Sequence, residues 1–287
     1  MNIIGTGLSG LVGSRIVELL ALDFSFENLS LETSVDITQK DVVSSRITAS
    51  SATWVFHFAA KTDVDGCEKE KELGIASEAW KINVLATESV VAACKQTKKN
   101  LLYISTDFVF DGNGNEYSEE DTPNPQSWYA RTKHEGELRV QSMGKAGLII
   151  RIAFPYRAVN SGKKDFFHRM MESLAGGKKL DAPADQLFVP TFIDDIAAAV
   201  RLLVSKSASG VYHVVGSHAL SPLEAGQKIA KTFGFDEQLV KPVAFAAFYA
   251  GRASRPFHAV LSNAKIAKFG LAMSTFDEGL AAIKKQQ

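Results

Sequence analysis

The sequence predicts an α/β fold: a doubly wound parallel sheet covered by helices on both faces, with a smaller α/β lobe built from the C-terminal half. Three observations carry this. The apolar strand Asn2-Ile3-Ile4 runs straight into the turn Gly5-Thr6-Gly7. Short, nearly continuous apolar runs then alternate with helix-patterned stretches as far as Arg151, as expected of strands buried on both faces and joined by crossover helices. Beyond Arg151 the alternation loosens.

In chain order, Leu11, Val12, Ile16, Val17, Leu19 and Leu20 follow helical spacing. A strand near Leu29-Ser30-Leu31 ends at Glu32-Thr33, and another covers residues 54–58. A helix is expected over 78–96, a strand at 101–104, a helix from Tyr129 and a strand at 147–151. Then come helices at 166–175 and 192–203, a strand at 211–215, a helix at 222–233 and a C-terminal helix. This divides the chain into a dinucleotide-binding (Rossmann) domain, 1–150, and a substrate-binding lobe, 151–287, whose strands near 191–215 return to the main domain.

The 287 residues suffice for such a domain and lobe, and 46% hydrophobic with 22% charged residues is an ordinary globular composition. Lys+Arg and Asp+Glu balance at 32 each, so no net field favours nucleic acid or an anionic membrane. Any anionic ligand must be held by local groups. Cys67 and Cys94 are too few for a disulfide scaffold or metal cluster, and read as small buried apolar residues. His57, His134, His168, His213, His218 and His258 show no metal-ligand spacing, so no metal is expected. No basic leader with a long apolar core is present, and no run approaches the ~20 apolar residues of a membrane span. These features predict a cytoplasmic protein.

Gly7, Ser9, Gly10, Leu11, Val12 and Gly13 lie between the first strand and first helix. Glycines there permit a tight turn and close approach of backbone to a pyrophosphate, while the helix N-terminus supplies N–H donors. Glu32 follows roughly 20 residues later, the spacing of a carboxylate that accepts from the adenosine ribose. No Arg or Lys stands between Glu32 and Asp36 to attract a 2′-phosphate, so the reading leans to NADH over NADPH. Asp36 and Ile37 are placed at the adenine edge. Ala59, Ala60 and Thr62, after the strand at 54–58, are small enough to let the cofactor's sugars pass.

Chemistry is placed on Thr106, Tyr129 and Lys133. A phenol of pKa about 10 exchanges protons poorly near neutrality. Lys133, one helical turn from Tyr129, is expected to favour the phenolate and lower that value. Thr106, at a strand end, can bond the same substrate oxygen while Tyr129 donates the proton and Lys133 holds the nicotinamide ribose. Glu68-Lys69-Glu70-Lys71-Glu72 reads as a solvated helix face or loop, and Phe245, Phe248 and Tyr249 as core residues.

The order of glycine turn, Ser-Thr-Asp and Tyr-x-x-x-Lys resembles the extended short-chain dehydrogenase/reductases. Ser105-Thr106-Asp107-Phe108-Val109-Phe110-Asp111-Gly112 is similar to a Ser-Thr-Asp-Tyr-Val-Phe-Asp-Gly segment of the dTDP-4-dehydrorhamnose reductases. Asn124-Pro125 through Tyr129, Lys133 and Gly136-Glu137 resembles their Asn-Pro-x-x-x-Tyr-Gly-x-(Ser/Thr)-Lys-x-x-Gly-Glu. Asp185-Gln186 with Pro190-Thr191, Asp195, and Arg255-Pro256 with Leu261 extend the likeness over nearly the whole chain. The resemblance implies NAD(P)H-dependent reduction of the 4-keto group of a nucleotide-activated 6-deoxyhexose, giving dTDP-L-rhamnose. It implies Thr106, Tyr129 and Lys133 as catalytic, with Asn83 supporting the lysine. Asp107, Phe108, Phe154 and Arg255 would join Thr106 and Tyr129 around the nucleotide sugar, Arg255 at the diphosphate and Arg252 beside it. It also implies a homodimer.

Departures from the family pattern cluster on the substrate side: Ile152-Ala153-Phe154, the loop at 159–166, and Phe188, besides Ala130 for a glycine. Related dehydratases carry a glutamate where this chain has Phe108, and an apolar ring cannot abstract a proton. An NAD-retaining epimerase, and a non-catalytic subunit resembling the regulatory subunit of methionine adenosyltransferase, remain as alternatives.

Overall fold

In the computed structural model, which describes residues 1–160 and 162–286, six parallel strands form one sheet. Ser161, in the loop at 159–166, lies outside the described residues. The strands are β1 (Asn2–Thr6), β2 (Ser25–Leu29), β3 (Trp54–His57), β4 (Asn100–Thr106), β5 (Gly147–Ile152) and β6 (Gly210–His213). Their order is β6-β5-β4-β3-β1-β2. The chain leaves β1 for the edge at β2, then crosses back to β3, so a switch point opens between β1 and β3.

Alternation within each strand divides the core. Ile3, Phe56, Leu102 and Ile150 pack on one face with Ile16 of α1 (Leu11–Leu19). Ile4, Val55, Leu101 and Ile149 face the other way, against Val43 and Ile47 of α2 (Lys40–Ala49). Helix α3 (Val64–Lys69) follows β3 and starts at Asp63, whose carboxylate accepts from Gly66 N at 3.0 Å. Helix α4 (Ala86–Thr97) precedes β4, and α5 (Trp128–Gln141) precedes β5.

The lobe holds α6 (Phe166–Ala175), α8 (Pro222–Phe233) and α9 (Phe276–Gln286), while α7 (Ile193–Ser205) covers the sheet beside α1. Tyr156, Phe167, Phe188, Ile229, Phe276 and Leu280 form the lobe's core. Three short parallel pairs, Leu180–Pro183 with Val240–Val243, Leu187–Phe188 with His258–Ala259, and Pro155–Tyr156 with Thr191–Phe192, supply its strands.

Several expectations shift. Strand β2 ends at Leu29, because Thr33 Oγ1 accepts from Ser30 N at 3.0 Å and donates to Asn28 O at 2.9 Å, turning the chain at Leu31–Thr33. The helix expected over 78–96 is broken by a π turn, Lys81–Leu85, centred on Asn83. The charge run at 68–72 does bind inward: Glu68 accepts from Trp128 N at 2.7 Å and Glu70 pairs with Lys61 at 2.5 Å. Phe245, Phe248 and Tyr249 are only half-buried and lie outside the core, because Arg252 and Arg255 stack on their rings. Both cysteines are buried thiols. Among the described residues no helix is long and apolar enough to cross a membrane, and no cluster of three His, Cys, Asp or Glu side chains forms a metal site.

Candidate active site at the switch point

Gly7 takes φ +69°, and a side chain there would overlap the backbone of Ala59, so the glycine turn rests directly on the chain leaving β3. Helix α1 then begins at Gly10 with no side-chain cap and no acidic residue in its first turn. Its N–H groups, in the segment that contains Leu11, Val12 and Gly13, are left for an anion. Gly13 packs against Gly7 O and Leu8 so closely that a Cβ has no room. Ser9 is exposed at the turn's tip. Uncapped N–H donors, a tight turn and the crevice beside Ala59 and Ala60 fit a dinucleotide's pyrophosphate.

Other residues of the proposed cofactor site fall around this crevice less decisively. Glu32 is exposed on the turn after β2, and Thr62 is exposed after β3. Asp36 spends one carboxylate oxygen on Thr38, accepting from its N at 2.9 Å and its Oγ1 at 2.8 Å. Ile37 packs partly against the core beneath α2.

The candidate trio Thr106, Tyr129 and Lys133 gathers around the carboxyl end of β4. Thr106, its last residue, donates to Asp107 Oδ1 at 3.0 Å and accepts from Phe108 N at 3.2 Å. The Tyr129 hydroxyl, on the first turn of α5, lies near the Thr106 hydroxyl. Tyr129 is 8% exposed, and burial, offset only in part by Thr106, holds its phenol above the ordinary value. The expected lowering by Lys133 is absent. Lys133 instead donates to Tyr103 Oη at 2.7 Å and Ile104 O at 2.8 Å. Desolvation pushes the Lys133 ammonium down to about 7, with Glu137 opposing.

Asn83 supports the lysine's surroundings without touching it. Its Oδ1 accepts from Lys61 N at 2.8 Å, and its Nδ2 donates to Lys61 O at 3.0 Å and Thr132 Oγ1 at 2.9 Å. The π turn thereby ties the chain after β3 to α5.

On the substrate side, Asp107 is 2% exposed, its Oδ2 has no partner, and burial pushes its carboxyl up to about 7. The Phe108 ring stands 5.9 Å from that of Tyr129 and 6.3 Å from that of Phe154. Phe154 holds a positive φ of 41°, rare for a bulky residue, with Phe188 stacked edge-on at 4.5 Å. Arg255 is engaged within the chain. Its fork is taken by Asp65 at 2.9 and 2.8 Å, its Nη1 also donates to Ala253 O, and its guanidinium lies 4.7 Å over Tyr249. Arg252 stays exposed over Phe248.

Sequence reasoning missed two buried networks. Arg151 donates to both oxygens of Glu137 at 2.9 and 2.7 Å behind the active site. The signal was available: an arginine inside the apolar strand Gly147–Ile152 demands a buried anion. The other runs from Asn83 O through Thr87 and His57 to Thr6. No periodicity marks it, because its members sit singly on four separate elements.

The chain matches the model of the RmlD substrate binding domain over residues 1–287. It is 31% identical, over 93% of its own length and 86% of the relative's, to a dTDP-4-dehydrorhamnose reductase of Mycobacterium tuberculosis. It is 29% identical to a probable low-salt glycan biosynthesis reductase of Haloferax volcanii, covering 97% of this chain and 96% of that protein. The crystal structure of a dTDP-4-dehydrorhamnose reductase from Bacillus anthracis in complex with NADP superposes with a TM-score of 0.90 at 27% identity, covering 100% of this chain and 99% of that one. Matched by that model along its length, the chain belongs to the RmlD substrate binding domain family.

Proposed function

We propose that this protein is an NAD(P)H-dependent oxidoreductase that reduces the 4-keto group of a nucleotide-activated 6-deoxyhexose. Its foremost substrate is dTDP-4-dehydro-L-rhamnose, converted to dTDP-L-rhamnose. One observation carries the reading: a buried Tyr129, its phenol held above the ordinary value, beside Thr106 at the carboxyl end of β4 and the switch-point crevice. A phenol that keeps its proton in the resting site suits a proton donor, which is the role reduction requires.

Gly7, Gly10 and Gly13 with the free N–H groups of α1 would hold the pyrophosphate, and Glu32 the adenosine ribose. When bound, the nicotinamide supplies the hydride. Thr106 and Tyr129 bracket the carbonyl oxygen, and Tyr129 passes its proton to that oxygen. The unpartnered Oδ2 of Asp107 is free for a sugar hydroxyl. Phe108 and Phe154 wall the pocket with apolar rings, which suits a sugar carrying a methyl group. NADH is favoured over NADPH by the exposed Glu32, whose charge would repel a 2′-phosphate.

The test is NADH and NADPH oxidation across dTDP-, UDP- and GDP-4-keto-6-deoxysugars. Turnover is expected with the dTDP sugar, falling about 100-fold or more in Tyr129→Phe. Failure with every sugar, in protein shown to bind the dinucleotide, would overturn the assignment.

A further inference from the structure

We propose that Tyr103 is a positioning residue for this reduction: its hydroxyl, lodged in a notch that Gly136 leaves in α5, is the seat that fixes the Lys133 ammonium near Tyr129. The inference rests on the assignment of Lys133 to the reacting set.

Two independent features of the fold converge on that hydroxyl. From β4, Tyr103 Oη accepts from Lys133 Nζ at 2.7 Å, while the ammonium lies 4.0 Å from the Tyr103 ring centroid. From α5, Gly136 sits three residues beyond Lys133 on the same helix face, and a Cβ there would overlap Tyr103 Oη and approach Asn83 O to 2.9 Å. The glycine therefore keeps open the space that the hydroxyl fills.

Hydrogen counting gives the seat a direction. Of the three ammonium N–H groups, Tyr103 Oη and Ile104 O take two, and one is left for a ligand. Behind the seat lies Thr87, whose own hydrogen goes to Asn83 O at 2.8 Å. His57 Nε2, at 2.9 Å, therefore donates to Thr87 Oγ1. His57 Nδ1 is then left to accept from Thr6 Oγ1 at 2.6 Å. Thr6 is the last residue of β1, directly before Gly7. Thr87, His57 and Thr6 thus form a hydrogen-bonded line that ends at the turn that would hold the pyrophosphate.

The titratable groups facing Lys133 are His57 from β3, Tyr103 from β4, and Tyr129 and Glu137 from α5. His57 is neutral, the two phenols keep their protons, and Glu137 is already paired with Arg151. Loss of the Tyr103 oxygen should therefore fall on the ammonium itself.

NMR of isotope-labelled lysine in the cofactor-free protein, with the Lys133 resonance assigned by its loss in Lys133→Met, reads this directly. In Tyr103→Phe the Lys133 ammonium is expected to deprotonate roughly one to two pH units lower than in wild type. The alkaline limb of the kcat profile should move with it. An unchanged Lys133 titration in folded Tyr103→Phe overturns the proposal. If that variant does not fold, labelled tyrosine in wild type decides. The Tyr103 ring resonance must step at the pH where Lys133 titrates, and that step must vanish in Lys133→Met; no step overturns the seat. Because the NMR needs no turnover, a failed substrate assignment and a failed seat give different results.

Discussion

Tyr129 keeps its proton because burial strips water from a phenolate, and the same desolvation drives Lys133, one turn further, toward its neutral form. Spacing alone suggested that the ammonium would stabilise the phenolate. It gave no hint that Tyr103 would claim the ammonium, since a tyrosine in an apolar strand reads as packing. A second buried charge was equally hidden by its neighbours. Glu137 is fully buried, and Arg151 holds its carboxylate at about 2 against the opposing pull of desolvation. Removing one partner leaves the other uncompensated. Glu137→Gln should cost about 3–5 kcal/mol in urea unfolding, whereas the double variant Glu137→Leu with Arg151→Met should recover most of the loss. Equal losses in the single and double variants would show that the pair is not what the interior needs.

At the level of elements, the legible ones were those with long apolar runs or marked turns. The lobe helices at 166–175 and 222–233 appear where spacing placed them, each with a strong apolar stripe and a capping residue, Asp165 and Ser221. Helix α2 escaped notice because only Val43 and Ile47 are buried in it, too few for a periodic signal. The π turn escaped because it is dictated by the bonds of Asn83 to Lys61 and Thr132, which are distant in sequence. The glycine turn was legible because its steric demand is local, and that demand can be tested. A methyl group on Gly13 would collide with Gly7 O and Leu8, prising α1 from the turn. Gly13→Ala should weaken NADH binding at least tenfold in calorimetric titration. It should leave the Lys133 titration unchanged, since Lys133 lies across the crevice on α5. Unaltered NADH affinity would detach the dinucleotide from this turn.

For the whole molecule, the doubly wound sheet was readable because near-continuous apolar strands allow few other arrangements. The lobe's strands were not, since they are two to four residues long and pair across distant parts of the chain. The folded chain also buries groups whose protonation couples folding to pH. His57 and His213 are each pushed down to about 3, chiefly by burial and then by Lys133 and Arg151 respectively. Below their ordinary value of 6.5 the unfolded chain gains two protons that the folded chain refuses. Their stabilisation is therefore full above that pH and is lost as pH falls toward 3. Asp107 has the opposite sign: raised by burial from 3.8 to about 7, it stabilises at low pH and loses that contribution as pH rises through 7. Between pH 4 and 6.5 the two histidines outweigh the one aspartate by a single proton, so stability should climb by about 1.4 kcal/mol per pH unit. His57→Gln should flatten the slope and Asp107→Asn should double it, read from urea unfolding across that window. A wild-type slope in His57→Gln would mean that the buried imidazole takes up its proton without unfolding the protein.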